Sequence, residues 1–205
     1  MCGRYQAAWD IDRPEIEKIG EIIKNKYPGE LFKSGEIFPG DKAVVLVTHD
    51  KAPALVASGS SDEKADVRLM RWGYPVSGRS VINARAETAA EKPLFRESLC
   101  LRRCVIITTG FYEWTHNDKD KKNKIKYLFR LPDTPVLYLA GFYELRDDEE
   151  RYIIMTAEAN ASVREVHDRM PVIVARNEIL PWLSDSAFSK RLLKREGPML
   201  VKTAE

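Results

Sequence analysis

Apolar positions along the chain follow two different periods. Ile16, Ile19, Ile22 and Ile23 recur at helical spacing behind Asp12-Arg13-Pro14, which predicts a helix capped by Asp12 with proline in its first turn. From Ala43 the pattern turns strand-like, with runs at Ala43–Thr48, Ala54–Ser58 and Val67–Trp72; a Ser/Asp/Gly-rich stretch between the last two predicts a hairpin loop. Arg102 to Trp114 is almost continuously apolar, as a strand buried on both faces is. Ile125–Arg130, Val136–Tyr143 and Tyr152–Thr156 extend the β pattern. Short helices are predicted from Pro93 through Phe95, Leu99 and Leu101, and from a capping-box match at Ser162-Val163-Arg164-Glu165 up to His167, after which Pro171 forces an extended exit. Asn177–Leu183 and Ser186–Lys194 read as two amphipathic helices that cover the sheet. No internal repeat and no long linker divides the chain.

The length of 205 residues suits one domain with a substantial core, and 44% hydrophobic with 31% charged residues is an ordinary globular balance. No apolar run approaches the roughly 20 residues of a membrane span, and the start of the chain lacks the apolar core of a signal peptide, so a cytoplasmic or nucleoid location is expected. Cys2, Cys100 and Cys104 form an odd set without a CxxC pair, which argues against a disulfide framework or a zinc site and makes Cys100 and Cys104 expected buried residues. A net charge of +2 neither demands nor excludes nucleic acid; any phosphate affinity needs a local basic face.

Candidate chemistry starts at Met1-Cys2-Gly3-Arg4. Trimming of Met1 is expected to leave Cys2 with an α-amine and a thiol on adjacent carbons, with reference pKa values of roughly 7.7–8.0 and roughly 8.5. The amine can condense with an aldehyde to an imine on which the thiol closes a thiazolidine; alternatively the thiolate can attack an amide. A cysteine at position 2 also arises with no chemical role. Arg71-Trp72-Gly73-Tyr74-Pro75 can hold a phosphate and stack a base, or simply half-bury a tryptophan at a strand end. Phe38-Pro39 is either a packed turn, which composition favours, or an exposed apolar wedge. Glu113, between Tyr112 and Trp114, is a candidate for a pKa raised by desolvation, or it alternates out to solvent. His167, beside Asp168 and Arg169, is a helix-end residue or a held proton-transfer group. The lysine-rich stretch from Asn117 to Lys126 reads as a basic hairpin loop, solvated or phosphate-contacting.

Cys2-Gly3-Arg4-Tyr5, Trp72-Gly73, Asn83-Ala84-Arg85-Ala86-Glu87-Thr88, Arg102-Arg103-Cys104, Gly110-Phe111-Tyr112-Glu113-Trp114 and His167-Asp168-Arg169-Met170-Pro171 together resemble the motifs of the SOS-response-associated peptidase (SRAP) family of abasic-site processing proteins, in the family's order, from Cys2 to about Leu183. The resemblance implies a single α+β domain over the whole chain: twisted, mainly antiparallel sheets forming a barrel-like core, with flanking helices and a groove for single-stranded DNA. It also implies a covalent link between mature Cys2 and the ring-opened aldehyde of an abasic site, with self-removal of residues ahead of Cys2 as a peptidase-like activity. By motif, Asn83 would orient the Cys2 amine, Glu113 would move protons during ring opening and imine formation, and His167 would act as an acid near the sugar oxygen. Arg4, Arg85 and Trp72 would lie along the DNA, joined by Arg169 and by Phe38 and Pro39. The expected partner is single-stranded DNA containing abasic sites, met by a monomer, and no metal or organic cofactor is required.

The chain departs from the family where Glu36-Ile37-Phe38 replaces the usual Asn-Val-Ala before Pro39, adding a carboxylate to the presumed DNA path, and where Ile107-Thr108-Thr109-Gly110 replaces Pro-Ala-Asp-Gly, a change expected to act on packing. The rival enzyme is an N-terminal-nucleophile cysteine amidohydrolase, whose members also begin Met-Cys-Gly; the chain is short for one and lacks the expected glutamine-recognition motifs. A passive single-strand binder with an incidental Cys2 is the third reading.

Overall fold

Alternation along the strands sends successive side chains into two separate cores, and that division places the site. The computed structural model describes residues 2–7, 9, 14–30, 33–49, 64–115 and 124–205. In chain order these form β1 (Tyr5–Ala7), α1 (Pro14–Lys26), β2 (Glu36–Ile37), β3 (Lys42–His49), β4 (Lys64–Trp72), β5 (Tyr74–Val76), β6 (Arg79–Val81), β7 (Asn83–Arg85), α2 (Arg96–Leu101) and β8 (Arg103–Trp114). There follow β9 (Lys126–Arg130), β10 (Leu137–Arg146), β11 (Glu149–Glu158), α3 (Ala161–Arg164), β12 (Arg169–Pro171), β13 (Ile173–Val174), α4 (Ile179–Ser184), α5 (Ser186–Leu192) and β14 (Val201–Ala204). A 3₁₀ turn at Arg176–Glu178 leads into α4.

Five strands close into a mixed barrel: β10 pairs with β11, β11 with β4, β4 with β3, β3 with β8, and β8 returns to β10. The β11–β4 pairing is parallel and the other four are antiparallel. Val45, Val47, Met70, Trp72, Cys104, Ile106, Leu139, Tyr152 and Ile154 fill the lumen. Their neighbours Val44, Leu46, Val67, Leu69, Val105, Ile107, Ala140, Ile153 and Met155 face outward and pack under α1, α2, α4 and α5 through Ile16, Ile23, Leu99, Trp182 and Leu192. Trp182 is fixed there by its indole N–H, which donates to the Cys104 carbonyl at 2.9 Å. The period-2 side-chain pattern therefore serves both layers, which is why these strands read as unbroken apolar runs.

β8 is the longest strand, and its two halves have different partners. Residues 103–108 sit in the barrel against β10, while residues 108–111 pair with β1 and residues 111–114 with β9. At the crossing a Cβ on Gly110 would lie 2.4 Å from the Phe129 carbonyl oxygen, so only glycine fits. Thr108 and Thr109 stitch β1 to this region: the Thr108 hydroxyl lies 2.5 Å from the Gln6 carbonyl, and the Thr109 hydroxyl donates to Gln6 Oε1 at 2.9 Å. The β10–β11 hairpin turns on Asp147 and Asp148, both at positive φ, as a two-residue connection that follows strand twist requires.

The helices and main strands stand where the apolar pattern puts them, with corrections. β10 and β11 run past the predicted ends, α2 starts at Arg96 and not at Pro93, and α3 is capped by Asn160, whose side chain accepts from the Ser162 N–H at 3.0 Å, and not by Ser162. Cys104 is buried but Cys100 is exposed. The Asp12 cap, the Ala54–Ser58 strand and residues 117–123 of the basic loop lie outside the described residues. No described helix is long and apolar enough to cross a membrane. Gly110→Ala is expected to lose about 2 kcal/mol or more of stability, because the clash is with backbone that cannot swing away; urea unfolding should show a lower midpoint with an unchanged slope.

Candidate active site at the start of the first strand

The backbone leading into β1 is held on two sides. The Tyr112 N–H of β8 donates to the Arg4 carbonyl at 2.9 Å, and from β7 the Asn83 amide Nδ2 donates to the Cys2 carbonyl at 2.8 Å. β7 is itself fixed by parallel pairing with β11, which sets Asn83 against Ile154. Cys2 is thus fully buried at the lumen core, and its thiol lies 3.7 Å from the Arg4 carbonyl. Asn83 holds the carbonyl of Cys2 and leaves its own Oδ1 buried with no hydrogen-bond partner. That acceptor, on the amide already clamped to Cys2, is available to an amine on the same residue.

Glu113 follows Phe111 by two on β8, so it shares the face that fills the lumen, whereas Tyr112 and Trp114 take the opposite face. It is 3% exposed. Burial pushes its carboxyl up to about 7, against the pull of the positive amino terminus, and the negative charge of Asp168 adds to the rise. The thiol of Cys2 is pushed far up, first by burial and then by the charge of Glu113. Cys2, Asn83, Glu113 and the segment after α3 therefore meet at one place. In that segment the Arg169 N–H donates to His167 Nδ1 at 2.9 Å. A backbone N–H is a fixed donor, so it makes Nδ1 the acceptor and puts the ring proton on Nε2. Asp168 Oδ1 also lies 2.9 Å from Nδ1, but its side chain is 81% exposed and free to turn away, so the backbone contact sets the tautomer.

The remaining predicted residues divide. Arg4 lies on the outer rim, its guanidinium 4.2 Å from the Phe38 ring centre and 4.9 Å from that of Trp114, with Nη1 donating to Glu36 Oε2 at 3.0 Å. The Phe38-Pro39 stretch is a turn, closed by the Asp41 N–H on the Phe38 carbonyl at 3.0 Å, but it is not packed: Phe38 is 37% exposed, and Pro39 is exposed as well. Arg85 is exposed at the end of β7. Trp72 corrects the expectation of a base-stacking surface. It is completely buried in the lumen core, with Nε1 donating to the Ile82 carbonyl at 3.0 Å and its ring stacked on Tyr152, so it offers no face to a base. Arg169 is corrected too: both its terminal nitrogens bind Glu87 at 2.8 Å and one also reaches the Thr156 carbonyl, so it ties two motifs together and has no free edge for a phosphate.

Sequence reasoning missed the partners that lock these groups. The hydroxyl pair of Tyr5 and Tyr152, 2.6 Å apart beneath Trp72, comes from positions distant in the chain and had no local signal. Lys126 was visible only as the end of a basic stretch; in the fold it sits over the Tyr112 ring at 4.1 Å and pairs with Glu36. Among the described residues no group of three or more His, Cys, Asp or Glu gathers as a metal site would.

Over residues 1–201 the chain matches the family described as SOS response associated peptidase (SRAP). It is 32% identical over 206 residues to the abasic site processing protein YoaM of Bacillus subtilis, covering 95% of this chain and 84% of that one. It is 25% identical to the abasic site processing protein YedK of Escherichia coli over 93% of this chain and 82% of the other. A crystal structure of a Bacteroides thetaiotaomicron protein has the same fold, with a TM-score of 0.72 at 24% identity across 99% of this chain and 91% of its own.

Because folded Glu113 binds its proton more tightly than the unfolded chain does, its contribution to stability is complete below pH 4.5 and is lost as pH rises through about 7. Glu113→Gln lacks this loss. Across that window the variant should gain on the parent by up to about 3 kcal/mol, read by urea unfolding at a series of pH values.

Proposed function

The chain belongs to the SOS response associated peptidase (SRAP) family, and on that premise we propose that it binds abasic sites in single-stranded DNA and captures them through Cys2 as a thiazolidine. The observation that carries this reading is the Asn83 clamp on the Cys2 carbonyl next to a buried carboxyl that titrates near neutrality. The names of the relatives support the lesion.

The reaction starts once the residue ahead of Cys2 has been removed. Asn83 Oδ1 then accepts from the new α-amine and turns its lone pair outward without adding charge. An abasic sugar exposes its aldehyde only when the ring opens; the Nε2 proton of His167 is suited to the ring oxygen, and Glu113, with a pKa of about 7, can give or take a proton at working pH. The amine adds to the aldehyde carbon and water leaves, giving an imine. The Cys2 sulfur then bonds to that carbon and the C=N π pair returns to nitrogen, which gains a proton as the thiol loses one, Glu113 relaying the transfer. This last step is intramolecular, a situation in which effective molarities reach roughly 10⁵–10⁸ M. A thiol held protonated by burial favours amine-first chemistry, and it counts against the amidohydrolase alternative, which needs a thiolate.

Phosphate affinity in this reading comes from Arg4 and Arg85, and the exposed Phe38-Pro39 turn would wedge beside a base.

Intact-mass measurement after incubation with a single-stranded oligonucleotide carrying one abasic site should show a heat-stable adduct mapping to Cys2. Cys2→Ser should bind the strand and give no stable adduct; a persistent thiazolidine-mass adduct from that variant would overturn the proposal. The rate of adduct formation should change with a transition near pH 7. Glu113→Gln should remove that transition and slow the reaction by about a hundredfold or more.

A further inference from the structure

Across β8 from the lumen carboxyl, the outer face of the same strand carries a second arrangement of charge. Arg4 is stacked between the rings of Phe38 and Trp114, and Lys126 sits over the ring of Tyr112. The two cations converge on one carboxylate: Arg4 Nη1 donates to Glu36 Oε2 at 3.0 Å, and Lys126 Nζ donates to Glu36 Oε1. Glu205 lies 3.4 Å from the same lysine. Backbone pairing of Gln6 with Glu36 fixes the Cα of Glu36 at this spot, while its side chain remains about a third exposed and able to rotate. Burial of the Glu36 carboxyl pushes its pKa up, but Lys126 and Arg4 outweigh that and hold it below the usual carboxylate range.

An arginine and a lysine on an aromatic floor, open to solvent beside an exposed phenylalanine, form a receptor for a tetrahedral anion joined to a stackable base. A carboxylate offers the same paired oxygen acceptors as a phosphodiester. We propose that Arg4 and Lys126 form a phosphodiester site for single-stranded DNA, and that Glu36 occupies it as a phosphate mimic until the strand displaces it. The proposal rests on the reading of this chain as a single-strand binder and adds to it a residue that sets affinity. Every strand must evict Glu36 before it gains these two contacts. Undamaged DNA, which has no covalent step to follow, is therefore held more weakly and released, while an abasic strand is retained by its bond to Cys2. The ion pairs are partly exposed and individually weak, so eviction lowers affinity without abolishing it.

The test measures binding of a fluorescent oligothymidylate without a lesion, by anisotropy across a salt series, alongside adduct formation with the abasic strand. Glu36→Gln keeps the shape of the side chain and should bind about fivefold tighter with a steeper salt dependence, because no freed carboxylate then takes up a cation. Lys126→Gln should weaken binding by a similar factor and make the salt slope shallower by about 0.7, the value for one lost contact to a single strand. In the Glu36→Gln, Lys126→Gln double variant the gain from removing Glu36 should shrink to about twofold, since one of the two cations that the mimic covers is gone and only Arg4 remains. A full gain in the double variant would mean that Glu36 acts by general repulsion, and would overturn the proposal. So would unchanged or weaker binding by Glu36→Gln while the adduct still forms, and in that case the lesion chemistry stands. Absence of both strand binding and adduct in every protein would remove this proposal and the reading beneath it together.

Discussion

The position of the backbone at residues 2–4 is the constraint on which the rest of the site depends. Two hydrogen bonds set it, one from Tyr112 on β8 to the Arg4 carbonyl and one from Asn83 on β7 to the Cys2 carbonyl. Neither strand is free to shift. β8 is locked between β3 and β10 in the barrel wall, and β7 is aligned by its parallel pairing to β11, another wall strand. A chain start would ordinarily fray, since terminal residues lack neighbours on one side. Here the barrel supplies partners on both sides, so a thiol and its adjacent backbone nitrogen are held on a rigid frame and not on a loop.

The frame also separates two electrostatic environments by the thickness of one strand. Residue 113 points into the lumen, where burial keeps a carboxyl near neutrality, while residues 112 and 114 point outward and support Lys126 and Arg4 with their rings. Strand geometry alone enforces this, because successive side chains must face opposite sides. A shift of one residue in the register of β8 would put Glu113 in solvent and an aromatic ring beside Cys2, so the glycine that admits the β9 backbone at Gly110 is as much a site residue in effect as those that touch the chemistry.

Much of this frame was legible in the sequence, and the rest was not, for identifiable reasons. The apolar runs located β3, β4, β8, β10 and β11 because both cores draw on each strand, and the isoleucine spacing located α1. The motif resemblance brought Cys2, Asn83, Glu113 and His167 into consideration, and the fold brings Cys2, Asn83, Glu113 and the His167 segment to one place. What one-dimensional pattern could not supply was the identity of partners across the sheet. Trp72 looked like a surface stacking residue because arginine and glycine flank it; its burial follows from Tyr5 and Tyr152, which reach it from other strands. Arg169 looked free because Glu87, which binds it with both oxygens, lies in a separate motif. The short strands β1, β2, β12, β13 and β14 escaped detection because a two- to four-residue strand is defined by what it pairs with and not by its own composition.

Burying Glu113 works against folding at neutral pH, since the charged form must be kept out of water, and the positive amino terminus offsets that cost only in part, whereas Arg169 holds Glu87 with two hydrogen bonds. The difference between these two acids follows from their tasks. A carboxylate held by a bidentate arginine is a permanent anion and can only brace the fold, as Glu87 does with its pKa drawn down. A carboxyl left near neutrality by desolvation exchanges its proton readily, at the expense of stability. The double-walled barrel, with apolar layers on both sides of the strands, supplies the surplus of buried contact that lets one such acid remain in place beside a thiol. The same scaffold could not carry a second buried acid on that face as easily, and Asp168, whose charge already raises Glu113, is accordingly left in solvent.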